Sequence, residues 1–196
     1  MTKSQSRILI AFASIAIVIA AGASPLGATD IFKARMLTGK APVEPALINI
    51  QIEVKDWTTP EEVRQLQETM NQAGVDAFLA AFTKSDKGVV RFMSTRGFNL
   101  PIHAAITVPT EKGRKVLLFF NRQNWNSEYH KGMSRNLFMA IELKLNEKGK
   151  GEGRFYEDAQ IRLEPADGTI AVEAYDGSPK IFPQVQQVVK KDTDKK

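Results

Sequence analysis

The chain contains two histidines, His103 and His130, and no cysteine. That alone removes much chemistry: there can be no thiolate nucleophile, no Cys-bound metal and no disulfide framework. Two histidines far apart in sequence give no zinc-ligand spacing, so neither a metal nor another cofactor is expected. His103 sits in the strand-like run His-Ala-Ala-Ile and reads as a packed or surface strand residue. His130 ends the polar-aromatic stretch Asn124-Trp125-Asn126-Ser127-Glu128-Tyr129-His130. A long loop of that composition carries function more readily than a core strand does. Arg122, Trp125, Tyr129 and His130 are therefore the candidate ligand-binding residues, placed at the mouth of a pocket.

No catalytic residue is expected. Ser127, Glu128 and His130 are only a local cluster, whereas hydrolytic triads are assembled in space from distant segments, and no G-x-S-x-G elbow occurs. The acidic pair Glu61-Glu62 is explained by a helix N-terminus, and Glu157-Asp158 by the wet face of a strand. Gly149, Gly151 and Gly153 repeat at a G-x-G spacing but lie between two strands, which makes them a hairpin and not a phosphate cradle. Phe119, Phe120, Phe138, Phe155 and Tyr156 fall in strand-like runs and are assigned to the core.

The elements that would hold these residues are mostly strands. Ala46–Asp56 alternates Ile48, Ile50, Ile52 and Val54 with polar residues, the period of a half-buried strand. Thr59-Pro60-Glu61-Glu62 then announces a helix, with Thr59 as N-cap, Pro60 at the first position and Glu62 closing a capping box. Val63, Leu66 and Met70 recur at helical spacing up to a stop at Gly74, and a second short helix follows over Asp76–Thr83. Strands are expected at Val89–Met93, Leu100–Val108, Lys115–Asn121, Leu137–Asn146, Gly153–Leu163, Thr169–Ala174 and Lys180–Val188, separated by short turns. Consecutive strands on short turns are antiparallel. The expected fold is therefore α+β and mainly antiparallel β: a curled meander of about eight strands, barrel or sandwich, covered on one side by a helical hairpin.

Around that domain, residues 1–23 have the parts of a secretory signal: Lys3 and Arg7, the apolar stretch Ile8–Ala21, and small residues before a cut after Ala23. Residues 24–45 read as a flexible lead-in, 46–189 as the single domain and 190–196 as a disordered basic tail. The expected location is the periplasm or the extracellular space. Of the 27 basic residues, two lie in the leader and four in the tail, which leaves 21 against 20 acidic ones. A nearly neutral domain argues against a nucleic-acid partner, and the tail would touch anionic lipid at most weakly.

Two motifs carry a resemblance: Trp57-Thr58-Thr59-Pro60-Glu61-Glu62 leading into two short helices, and the run from Ala140 to Phe155 with its Lys-Gly-x-Gly-Glu-Gly hairpin at Lys148–Gly153. Over about residues 45–188 the chain resembles a family of exported bacterial proteins with no established activity. Gly149, Gly151 and Gly153 match that hairpin, while Ser94-Thr95-Arg96-Gly97-Phe98 stands where the family pattern has a Gly-rich loop. The resemblance implies fold and compartment and transfers no site residue. The expected function is a non-enzymatic binding or interaction module for an unknown ligand, an apolar small molecule or an envelope protein. Its rivals are a hydrolase assembled from distant strands and an envelope-associated structural protein.

Overall fold

Alternation and capping place most elements where the sequence puts them. The computed structural model describes residues 29–38, 46–93, 98–122 and 136–188. In chain order these form β1 (Asp30–Thr38), β2 (Ala46–Val54), α1 (Pro60–Lys84), β3 (Gly88–Met93), β4 (Phe98–Ile102), β5 (Ala104–Thr110), β6 (Gly113–Asn121), β7 (Phe138–Asn146), β8 (Lys150–Glu164), β9 (Thr169–Tyr175) and β10 (Lys180–Val188). Among the described residues ten strands make one antiparallel sheet, in the order β4-β3-β2-β1-β10-β8-β7-β6-β5, with β9 added to β8. Over the described residues the fold is thus mainly antiparallel β with one helical element, and the sheet is open.

Two departures from the expected layout have clear causes. The first strand is β1, inside the stretch 24–45 read as a flexible lead-in. Its alternation of Phe32, Ala34 and Met36 against Lys33 and Arg35 is short and is flanked by Ala, Pro and Gly, so composition hid its period. The expected strand Leu100–Val108 is two strands, β4 and β5, split at His103. There the chain changes partner: Lys87 N donates to Ile102 O on the β3 side, and His103 N donates to Phe119 O on β6. The two end strands of the sheet are therefore consecutive pieces of one stretch of chain. The remaining edge of β5 is capped by Thr58, which donates from its N–H to Ala105 O and accepts from Ala105 N at Oγ1. Capping of this kind blunts an edge that would otherwise pair with another chain.

Each face of the sheet has its own core. The inward face is filled by Phe32, Ile52, Val90, Ile102, Leu118, Phe120, Met139, Phe155 and Phe182, all fully buried. The outward face of β5 to β9 packs Ile106, Leu117, Phe119, Phe138, Tyr156 and Ile170 against Val63, Phe78 and Phe82 of α1. β6 is consequently buried on both sides over Val116–Asn121. Thr59 caps α1 with the expected capping box. Gly74 breaks the helix at φ 79°, ψ −173°, a region open in practice only to glycine, so α1 is two helical arms joined at a kink.

Candidate functional site

α1 covers the outward face on one side only, and the outward face of β3-β2-β1-β10 carries no described element. Register fixes what that bare face presents. Gln51, Lys33, Gln186 and Lys150 lie opposite one another across β2, β1, β10 and β8, and Met93, Asn49, Arg35 and Gln184 form the next row across β3, β2, β1 and β10. Same-face residues are two apart along a strand, so the two rows run parallel about 7 Å from each other, and neighbouring strands step about 4.8 Å.

These two rows line a groove of about 730 Å³, with the buried Ala34, Ile50 and Val185 and with Gly151 and Pro183 completing its lining. Among the described residues no carboxylate lines it. Lys33, Arg35 and Lys150 make no ion pair among the described residues. Each would donate to an anion, Arg35 through a planar fork suited to a carboxylate or phosphate. Asn49, Gln184 and Gln186 add amides that can both donate and accept, and Gln51, whose Nε2 gives one N–H to Glu53 Oε1 at 2.9 Å, adds its second N–H and its carbonyl. The twist that hollows the face is helped by a break in β10: between Phe182 and Val185 the pairing to β8 shifts register, and Pro183, which has no N–H, sits in the break.

The second polar cluster joins α1 to the sheet. Lys87, 6% exposed in its side chain, places Nζ 2.7 Å from both Asp56 Oδ2 and Glu62 Oε1. Burial works to lower its pKa, but the bonds to Asp56 and Glu62 and their charges outweigh it and hold the ammonium above its ordinary value. A small cleft of about 220 Å³ beside it is lined by Thr58, Glu62, Gln65, Thr69, Phe82 and His103, among others. His103 is 7% exposed. Its Nδ1 lies 2.9 Å from Ser85 O, which requires the proton on Nδ1, and the buried Nε2 has no hydrogen-bond partner. Burial pulls its pKa below the ordinary 6.5, against the bond to Ser85 and the charge of Asp86. The imidazole is therefore neutral near pH 7, and its ring lies 5.4 Å from the Phe82 ring, tilted by 57°. Lys87 is held by carboxylates and His103 by a main-chain carbonyl, so both groups tie β3 and the β4–β5 bend to the two arms of α1.

Of the residues singled out from sequence, Arg122 is 5% exposed and pairs with Asp158 on β8 at 2.6 Å. Its N–H bonds Leu137 O, which closes the base of the intervening segment. Trp125, Tyr129 and His130 lie outside the described residues. Glu62 takes the capping position expected of it and also binds Lys87. The groove residues went unseen because Lys33 and Arg35 stood in the supposed lead-in, and because Gln184, Gln186 and Lys150 become neighbours only through strand order.

No family model, curated protein or solved structure matches the chain, so the site is read from its own geometry.

Proposed function

We propose that the protein is an exported, non-enzymatic binding module and that its ligand is a polar, negatively charged molecule lying across the outward groove. One observation carries this reading: among the described residues, three cations without ion-pair partners and four amide side chains share a groove that no carboxylate lines. In a domain whose basic and acidic residues nearly balance, such a face is a local field able to draw in anions. The ligand is placed outside the sheet because the inward face is occupied by its own aromatic and aliphatic side chains. The curl that brings β4 and β5 together at His103 supports reading the framework as a small barrel, a rigid base of the kind that keeps binding groups in place.

The reading is tested by titrating galacturonate into labelled protein and following backbone amide shifts. Shifts confined to Lys33, Arg35, Asn49, Gln184 and Gln186, and lost in Lys33→Gln/Arg35→Gln, are expected. Shifts centred on the Lys87–His103 cleft, or unchanged binding by the double variant, would overturn it.

A further inference from the structure

A second groove of about 450 Å³ runs past the ends of β5, β6 and β7, and it shares Lys150 and Gly151 with the first. It too has no carboxylate in its lining among the described residues, and that lining includes Lys112, Lys115, Lys144 and Arg114. These cations are not equivalent. Arg114 is turned over the Phe32 and Trp57 rings, 5.7 Å from each centroid, and Lys144 pairs with Glu142 at 3.6 Å. Lys112 and Lys115 make no ion pair among the described residues. Lys33, Arg35 and Lys150 likewise make no ion pair among the described residues, which puts five such cations along two grooves that share Lys150 and Gly151.

We propose that the two grooves are one binding tract and that its occupant is a linear acidic polysaccharide. This rests on the preceding reading of the first groove and extends it in length and in ligand class. Length follows from continuity: crossing β3, β2, β1, β10 and β8 takes about 19 Å at the usual strand spacing, and the tract then continues past Lys150. A monomeric anion would engage only one end. Class follows from the side chains between the cations. Asn49, Gln51, Gln184 and Gln186 suit hydroxyl groups, which an inorganic polyphosphate lacks. Among the described residues neither groove is lined by an aromatic ring on which nucleobases could stack. An acidic sugar chain supplies both the repeated charge and the hydroxyls.

The test compares galacturonate trimer and dodecamer by calorimetry on the full-length protein. The dodecamer should bind the wild type at least about tenfold tighter, because engagement of the second groove becomes intramolecular. Lys112→Gln/Lys115→Gln should remove that advantage and leave trimer affinity unchanged, while Lys33→Gln/Arg35→Gln should weaken both ligands. Retention of the length advantage in the Lys112/Lys115 variant would overturn the continuous tract yet leave the first groove standing. Equal or tighter binding of polyphosphate or oligothymidylate of matched charge would overturn the polysaccharide assignment. Loss of trimer binding in every protein, with circular dichroism unchanged, would overturn both readings together.

Discussion

Lys87 Nζ lies 2.7 Å from Glu62 Oε1 across 25 residues of sequence. Glu62 thereby serves two partners, since its carboxylate also receives the Thr59 N–H at the start of α1. One side chain fixes where the helix begins and where it docks on β3.

The two duties separate by substitution. Glu62→Gln keeps a group able to accept from the Thr59 N–H but removes the charge facing Lys87, and breaking a hydrogen bond to a charged group costs about 1.5–3 kcal/mol. Glu62→Ala loses the cap as well, a further ~1 kcal/mol. Chemical denaturation should rank wild type above Glu62→Gln and Glu62→Gln above Glu62→Ala. Equal stability of the two variants would mean that the cap contributes nothing.

The buried imidazole of His103 makes stability depend on pH in a definite direction. Its pKa when folded is below the 6.5 it has when unfolded. Between those two values the unfolded chain binds the proton and the folded one does not, so falling pH favours unfolding. Stability should be constant above 6.5 with respect to this group and decline as pH falls below it. Each unit of separation is worth about 1.4 kcal/mol once pH lies under both values. Unfolding free energies measured from pH 7.5 to 5 should show that slope, and His103→Gln should flatten it.

Gly74 provides the kink between the arms of α1. A Cβ there would meet nothing within 4 Å, so any penalty for Gly74→Ala comes from its φ of 79°. Backbone strain of this kind costs about 1–3 kcal/mol. The variant should unfold at lower denaturant with its far-ultraviolet spectrum unchanged, whereas a shift under 0.5 kcal/mol, as an order-of-magnitude limit for ordinary surface changes, would indicate a relaxed turn.

Much of this fold is written locally. Thr59-Pro60-Glu61-Glu62 specifies its capping box through adjacent residues, and Lys115–Asn121 declares a strand by its own β-branched and aromatic content. β1 was hidden because its inward side is Phe32, Ala34 and Met36, and alanine contributes little to an apolar period. The break at His103 was hidden because it arises from a change of pairing partner, which leaves no mark on the local alternation. The groove was less legible still. Lys33 and Lys150 meet along one row only because β10, the last strand in sequence, pairs between β1 and β8. Strand order is a property of the whole chain, and no window of residues contains it.

The hairpin glycines show the reverse case, a sequence signal whose cause emerges only from packing. Gly151 faces β7 so closely that a Cβ would stand 1.7 Å from Lys144 O, a backbone atom that cannot move aside without breaking the β7–β8 ladder. Gly151 also belongs to both grooves, at the point where they join. Gly151→Ala must therefore push β8 away from β7 just where Lys150 projects. The expected result is a loss of several kcal/mol, of the order seen for overpacked core sites or beyond. In the fraction that folds, anion affinity at the groove should also fall. Gly149→Ala is the control, since its Cβ would mainly meet the Gln187 side chain, and its strain comes from a φ of 68°. That variant should lose about 1 kcal/mol, with galacturonate binding retained. Equal losses of stability in the two variants would show that the contact with Lys144 is looser than the geometry indicates.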